Sequence, residues 1–342
     1  MSTPPSPRRL ARFTSQPTSQ PTSLWCASLS LCASLCASLC ASTSAHAAPP
    51  ATRATLNGKD YPVFFNDGDS FRVLAGELKD TKARLAGFNT LESYGPVHSW
   101  GAWTAKELYV VAKMGTMNAR NGQWSCTSPD LSKDTYGRIL WRCEDLSNDQ
   151  IRKGFAHAMS VTAEGAEASD VAAQREAIAN KRGIWAHGVP EYVLTSIHSV
   201  DEGGGHDGKT YNRLVSVVDG HSLKWEHADK YEECQQVCWQ PTLEQRVGRL
   251  AARLSRRAQV SAWIGGYSEQ ERAAVAQGYM EGAEAFAKVA FKEEAHRASA
   301  QLALEEMAAE GWVEAAQSDI KSCMVHVDFR RRFGAARAVC LK

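Results

Sequence analysis

Apolar and polar residues alternate along residues 54–92, and this alternation predicts short β-strands joined by tight turns. The strand-like segments are ATLNGKDYPVFF, DSFRVLAG and KARLAGF, with turn chemistry in NDGD (66–69) and GELKD. Two later segments, GQWSCTS and GRILWRCED, have the same character and are joined by a polar connection. The pattern therefore predicts about five strands in this part of the chain.

Helical spacing of apolar residues alternates with these strands. It predicts a helix from Trp100 to about Lys113, a short helix over NDQIRKGF, and a longer helix around 166–182 that ends at Gly183. Five strands with about three helices predict an α+β domain over 54–188, built around a small β-barrel.

The next segment, 189–241, is predicted to be a small β extension. Its strands are YVLTSIHS, TYNRLVSVVDG and HSLKWEH, and a Gly-rich loop separates the first two. The segment KYEECQQVC is then predicted to be helical. A helix there places Cys234 and Cys238 on one face, one turn apart.

Residues 242–320 change character and become Ala-rich. Thr242 with Gln245, and Ser268 with Glu271, match the capping box that begins a helix. The sequence IGGYS between the two helical patterns reads as a turn. These features predict an antiparallel helical hairpin.

Arginines crowd the first helix of this hairpin. They are Arg246, Arg249, Arg253, Arg256 and Arg257. Two interpretations stay open: the arginines contact phosphates, or they form a solvated face that is balanced by the Glu-rich second helix. The insert over 242–316 is also a candidate to bind a protein partner.

The amino terminus predicts export. Residues 1–47 hold three arginines and no acidic residue, followed by a run of small and apolar residues and an Ala45-x-Ala47 signature. This pattern is typical of a signal peptide cleaved after about Ala47, with 48–53 as a linker, and it predicts a secreted or periplasmic protein. The alternative is a low-complexity tail from a misplaced start.

Charge and hydropathy limit the partners of the mature chain. Without the three leader arginines, 36 of the 39 basic residues remain against 38 acidic ones. Binding of nucleic acid must therefore depend on locally placed Arg and Lys, or on a metal. No later apolar stretch reaches membrane-spanning length, so we expect no membrane partner. We expect a monomer.

Cysteine usage agrees with export. Four of the ten cysteines lie in the leader, which leaves Cys126, Cys143, Cys234, Cys238, Cys323 and Cys340. An even number in an exported chain predicts disulfides, and a zinc site at Cys234-x3-Cys238 is the alternative. Cys126 and Cys143 would join two strands. Cys323 and Cys340, in the segment 321–342, are natural partners of Cys234 and Cys238 in either arrangement, and would staple the base of the hairpin to the extension.

The candidate chemistry lies in the first domain. Its residues are Asp67 and Asp69 in a turn, Arg84 on a strand, Asn89, Thr90 and Glu92 in the loop after it, and Arg138 after DTYG. Hydrolysis of a phosphodiester requires neutralisation of phosphate charge and an activated water. Oxygen ligands suit Ca²⁺, guanidinium groups bind phosphate, and a carboxylate activates water.

The chain resembles the staphylococcal nuclease (thermonuclease) family over about 63–187. The matching segments, in order, are NDGDSFRV, ARLAGFNTLES, DTYGRIL, QIRKGFAHA and AAQREAIANKRGIW. The residues that carry the resemblance are Asp67-Gly68-Asp69-Ser70, Arg84, Asn89-Thr90-Leu91-Glu92, Asp134-Thr135-Tyr136-Gly137-Arg138 and Gly183-Ile184-Trp185. The resemblance implies a five-stranded OB-fold barrel with its site on one face. It also implies Ca²⁺-dependent cleavage of DNA and RNA.

The resemblance also implies roles for individual residues. The metal ligands would be Asp69, Asn89 and the Thr90 carbonyl. Arg84, Glu92 and Arg138 would be catalytic, with Glu92 acting on the attacking water and the two arginines stabilising the transition state. Asp67 and Asp134 would orient these groups.

This chain departs from the family at Asn89, where the family has a carboxylate. Because calcium affinity depends on ligand charge, we expect weaker Ca²⁺ binding, another ion such as Mn²⁺ or Mg²⁺, or direct ligation by Glu92. Leu91 also replaces a proline. The alternative function is a weak or silent nuclease-fold module that binds nucleic acid or a protein.

The family's base-stacking aromatic residues are missing from AHAMSVTAEG. Contacts with substrate are therefore expected from other side chains, and the candidates are Tyr94, His98, Trp100 and Tyr136.

Overall fold

The computed structural model describes residues 52–202, 207–313, 319–327 and 338–341, and the predicted signal peptide lies outside them. The first domain is built on a curled six-stranded sheet in the order β7-β1-β2-β3-β4-β8. Its strands are β1 (Thr52–Leu56), β2 (Lys59–Asp67), β3 (Ser70–Val73), β4 (Lys82–Leu85), β7 (Trp124–Cys126) and β8 (Ile139–Trp141). A separate pair joins β5 (Gly87–Thr90) to β9 (Ala156–Met159).

Alternation along the strands produces the core, as the sequence predicts. On β2, Tyr61, Val63 and Phe65 are buried, whereas Phe64 lies on the outer face. Phe65 pairs with Phe71 on β3, and their rings make an edge-on contact at 5.3 Å. The α+β class is confirmed, with six strands in the main sheet rather than five.

Three helices follow in the predicted order, although the third ends at Ala179 rather than at Gly183. They are α1 (Ala105–Asn121), α2 (Glu144–Arg152) and α3 (Ala168–Ala179). The first begins later than predicted, because Thr104 and Glu107 form a capping box there and the preceding residues form β6 (Val97–Trp100).

The β extension contains the three predicted strands, β10 (Tyr192–Ser196), β11 (Thr210–Ser216) and β12 (Ser222–His227), in one antiparallel sheet. The helix predicted over KYEECQQVC is wrong. The chain there forms β13 (Gln236–Trp239), which pairs with β14 (Ser322–Val325), and β14 pairs in turn with β6. Hydrogen bonds to a strand far away in sequence therefore override the local helical preference.

The Ala-rich region contains five helices rather than the predicted pair. They are α4 (Leu243–Leu254), α5 (Ala258–Ser261), α6 (Glu269–Glu281), α7 (Ala283–Lys288) and α8 (Glu294–Ala309). Both predicted capping boxes are present, at Thr242 and Ser268. Gly282, at φ 110°, separates α6 from α7, which breaks the long second helix that the sequence suggested. We call this region the helical module.

Three disulfides confirm the prediction from cysteine usage. Cys126 bonds Cys143 across two strands, Cys234 bonds Cys340, and Cys238 bonds Cys323. A zinc site at Cys234 and Cys238 is excluded, because both sulfurs are used in disulfides. Three disulfides fit an extracellular protein. Within the residues that the structure describes, we find no helix that is long and apolar enough to span a bilayer.

Candidate active site

The turn between β2 and β3 holds the first two acidic residues of the site. The Asp67 carboxylate accepts hydrogen bonds from the Ser70 hydroxyl at 2.6 Å and from the Asp69 N–H at 3.3 Å. Gly68 between them is required, because a Cβ there would lie 2.4 Å from the Thr90 methyl group. The close approach of this turn to Thr90 places Asp69 beside the segment Asn89–Glu92.

Arg84 connects two segments of the site through its guanidinium group. One terminal nitrogen donates to Asp69 Oδ1 at 2.5 Å, and the other donates to Asn89 Oδ1 at 2.5 Å. The Thr90 N–H donates to the second oxygen of Asp69 at 2.9 Å. Strand pairing explains the arrangement, since Ser70 is the register partner of Arg84. The structure thus brings Asp69, Arg84, Asn89 and Thr90 into one hydrogen-bonded cluster.

Asn89 closes this cluster in a way that a carboxylate does not allow. Its amide oxygen accepts from Arg84, and its amide nitrogen donates to the Thr90 carbonyl at 2.8 Å. Arg84 only donates and the carbonyl only accepts, so a residue between them needs one acceptor and one donor. Asn89 therefore matches the hydrogen-bonding needs of both neighbours, Arg84 and the Thr90 carbonyl.

Acidic residues surround the Arg84 guanidinium. Burial acts to lower the pKa of Arg84, but the carboxylates of Asp69, Asp67 and Glu92 outweigh it and raise the pKa. Glu92 is half-buried and contributes through its charge. Arg84 is therefore a permanent cation with three carboxylates within electrostatic range.

A cleft of about 230 Å³ opens beside Arg84. It lies between β4, β5, the exposed Leu140 and the segment from Met159 to Val161. The Arg84 side chain is 18% exposed, so its guanidinium is anchored on one side and accessible on the other. Arg84 therefore presents a cation at the wall of this cleft.

The second predicted arginine lies on the neighbouring strand. Arg138 precedes β8, which runs parallel to β4 and pairs Leu140 with Arg84. Asp134 accepts from Arg138 Nε at 2.8 Å and from the backbone N–H groups of Tyr136 and Arg138. Asp134 thus holds the turn and the Arg138 side chain. Tyr136 is 73% exposed, and its ring centre lies 5.3 Å from the Arg138 guanidinium carbon.

Two of the predicted substrate contacts are corrected by the structure. His98 and Trp100 are buried on β6, and Trp100 donates from its indole N–H to the Ile184 carbonyl. The pairing of β6 with β14 encloses them within the fold. The third, Tyr94, is half-buried, and the Lys113 ammonium lies 4.6 Å from its ring centre.

Sequence reasoning missed His157. This residue lies on β9 as the register partner of Asn89, so both side chains project from the same face of the strand pair. Nδ1 is 3.1 Å from the Ala158 carbonyl, which fixes the proton there. Nε2 is buried and has no hydrogen-bond partner in the described part of the chain. A histidine within the apolar strand FAHAM was the available signal.

Burial holds His157 in its neutral form. It lowers the pKa to about 4, although the hydrogen bond to Ala158 and the charge of Asp69 oppose the shift and Arg84 supports it. A neutral imidazole with an unused acceptor therefore lies beside the Asp69–Arg84–Asn89 cluster.

The oxygens of the three predicted metal ligands already accept hydrogen bonds in this arrangement. Asp69 Oδ1 and Asn89 Oδ1 both accept from Arg84, and the Thr90 carbonyl accepts from Asn89. A cation bound by these oxygens would share them with the Arg84 guanidinium and the Asn89 amide. Across the described ranges, no three His, Cys, Asp or Glu side chains group as metal ligands do. Calcium dependence stays a prediction.

Asp67 gives the site a pH-dependent stability. Burial and the charge of Asp69 raise the pKa of Asp67 to about 7. The folded protein therefore holds a proton that the unfolded chain has released, and stability falls as pH rises from about 4 to 7. Asp67→Asn keeps an oxygen acceptor without the charge. We expect it to raise the free energy of unfolding at pH 8 by up to about 4 kcal/mol, with little change at pH 4.

Urea unfolding in the presence of a chelator, at a series of pH values, measures this effect. Asp134→Asn is the matched control, since the pKa of Asp134 is lowered instead: burial opposes the shift, and hydrogen bonds from Arg138 outweigh it. Parallel pH profiles for wild type and Asp67→Asn would contradict the expectation.

Comparison with models of known protein families finds no match, and comparison with curated proteins finds none either.

Proposed function

We propose that the mature chain is an exported phosphodiesterase that hydrolyses DNA or RNA at the cluster of Asp69, Arg84 and Asn89. The observation that carries the proposal is a guanidinium anchored at the wall of an open cleft. Arg84 uses two of its five N–H groups on Asp69 and Asn89, and within the described residues the other three have no partner. Such a group is suited to accept a phosphate.

The fold that we assign to 54–188 is an OB-fold barrel. The curled six-stranded sheet, with α1 packed against β2, supports this assignment. OB-folds bind oligonucleotides on one face of the barrel, and Arg84, Arg138 and the exposed Tyr136 belong to neighbouring strands and turns of this sheet.

In the proposed reaction, water attacks phosphorus, a new P–O bond forms, and the bond to the leaving oxygen breaks. Arg84 neutralises the phosphate oxygens as charge builds up in the transition state. Glu92 accepts a proton from the water or orients it. Arg138, held by Asp134, supplies a second positive charge on the same sheet face.

The second candidate is a module that binds nucleic acid without cleaving it. The closed hydrogen bonding of Asn89 favours it, because the amide occupies the acceptors that a family nuclease leaves for a metal. Both candidates use the same basic face, so they differ in chemistry rather than in location.

One experiment separates the two. Purified mature protein is incubated with plasmid DNA and with RNA, in Ca²⁺, Mn²⁺, Mg²⁺ or EDTA, and cleavage and binding are followed in parallel. Cleavage in any condition supports the enzyme. Binding without cleavage in every condition supports the module, and neither activity contradicts both.

Asn89→Asp tests the metal directly. The substitution removes the hydrogen-bond donor to Thr90 and adds a second carboxylate beside Asp69. Binding of a cation between the two carboxylates therefore becomes favourable. We expect Ca²⁺ to bind at least about tenfold more tightly than to wild type, by calorimetry without substrate. Asn89→Ala, which removes the amide and adds no charge, should show no gain. Equal Ca²⁺ affinity in the aspartate variant and wild type would overturn this prediction.

A further inference from the structure

A cavity of about 70 Å³ lies between the β extension and the helical module, outside the site described above. Its cationic wall consists of Arg246, Arg249 and Arg253 on α4. These residues are spaced at i, i+3 and i+7, so they share one face of the helix. The three arginines therefore face the cavity together.

Two carboxylates of the extension hold these arginines in place. Glu191 forms ion pairs with Arg246 and, at 3.4 Å, with Arg249. Asp219 accepts from Arg253 at 2.8 Å and also lies 2.5 Å from His221 Nδ1. Three guanidinium groups face two carboxylates, which leaves one net positive charge.

Aromatic rings orient two of the guanidinium groups. The Arg253 guanidinium carbon lies 3.1 Å from the centre of the Trp312 ring, and that of Arg249 lies 4.9 Å from the centre of the Tyr192 ring. Stacking against a ring uses the flat face of the group and leaves its N–H edges for hydrogen bonding. The two groups are thus pre-positioned rather than mobile.

The donors of this cavity exceed its acceptors. Arg249 and Arg253 carry ten N–H groups together, and each donates one hydrogen bond to another described side chain. Their side chains are 28% and 33% exposed, and both line the cavity. An oxyanion with several acceptor oxygens matches this surplus and the net charge.

We propose that this cavity binds a phosphate group. Its volume suits one tetrahedral oxyanion and excludes a nucleoside, which would have to lie at the mouth. The ligand is either free phosphate or the terminal phosphate of a mononucleotide, and it would bridge the extension to the helical module. The site does not depend on the proposed nuclease activity.

Calorimetry with inorganic phosphate tests the site, in buffer without sulfate and at constant ionic strength set by chloride, because screening alone alters ion binding. We expect wild type to bind phosphate, and Arg249→Ala/Arg253→Ala to bind at least about tenfold more weakly. Arg256→Ala is the matched control: Arg256 is exposed, follows the same helix, and should bind as wild type does. Adenosine monophosphate, with adenosine as its control, distinguishes the two sources of the phosphate.

Arg249→Lys is a second test, which remains informative if the double variant fails to fold. It keeps the charge but loses the paired N–H donors, so phosphate binding should weaken about fivefold while thermal unfolding stays close to wild type. Lack of binding to wild type at about 10 mM phosphate, or equal binding to wild type and the double variant, would overturn the proposal. The arginines would then serve only as ion pairs between the two parts. Nucleic-acid cleavage by Arg249→Lys should be unchanged in either case.

Discussion

Replacing Arg84 is expected to abolish nucleic-acid cleavage and to weaken the fold at once. Its guanidinium bonds both Asp69 and Asn89, and the charges of Asp67 and Glu92 also act on it. Arg84→Ala leaves the buried Asp69 without a counter-charge. Loss of one partner of a buried ion pair costs about 3–5 kcal/mol of stability, and loss of an arginine that stabilises a phosphoryl transition state costs about 10³-fold or more in rate.

Arg84→Lys separates these two consequences. Lysine keeps the charge, so it should recover most of the stability, but its single ammonium cannot span Asp69 and Asn89 while contacting phosphate. We expect a folded protein whose cleavage rate stays about 100-fold or more below wild type. Urea unfolding and initial cleavage rates measure the two effects.

Arg72→Ala is the control for charge on this sheet face. Arg72 lies on β3, is exposed, and makes no ion pair with any residue in the described part of the chain. Its removal should weaken nucleic-acid binding slightly and leave stability unchanged. If Arg84→Lys cleaved as fast as wild type, Arg84 would hold the loop together without acting on substrate.

Local patterning was sufficient to predict the parts of this fold that depend on neighbouring residues. The alternation in DYPVFF predicts β2 and its buried positions, and two capping boxes in the helical module lie where the sequence places them. The order of β3 and β4 along the chain places Arg84 beside Ser70, next to Asp69. Both elements lie within 20 residues of each other, so few alternatives exist.

Long-range strand pairing accounts for the errors. Nothing near His98 indicates that β14, more than 200 residues later, covers β6 and buries both His98 and Trp100. The same strand converts the predicted helix at Cys238 into β13. His157 was missed for a similar reason, because its relation to Asn89 exists only once β5 and β9 have paired.

The two C-terminal disulfides close the chain around the helical module, and this topology predicts the size of their effect. Cys238–Cys323 joins residues 85 apart, and Cys234–Cys340 encloses it with a separation of 106. While the Cys234–Cys340 bond is intact, the Cys238–Cys323 bond closes only a small loop. This loop consists of the segments 234–238 and 323–340. The loop-entropy estimate for a loop of about 20 residues is about 3 kcal/mol.

Cys238→Ala/Cys323→Ala is therefore expected to lower the free energy of unfolding by about 3 kcal/mol. Removal of the Cys234–Cys340 bond as well should cost about 4–5 kcal/mol more, because the whole loop is then released in the unfolded chain.

The loss of stability should extend to β6, which pairs with β14 and begins five residues after Glu92. Hydrogen exchange at Val97 to Trp100 should accelerate in the double variant, with exchange in β2 as the internal reference. An unchanged unfolding midpoint would contradict the entropic account. Unchanged exchange in β6 would show that the helical module and the segment Asn89–Glu92 are not coupled through this sheet.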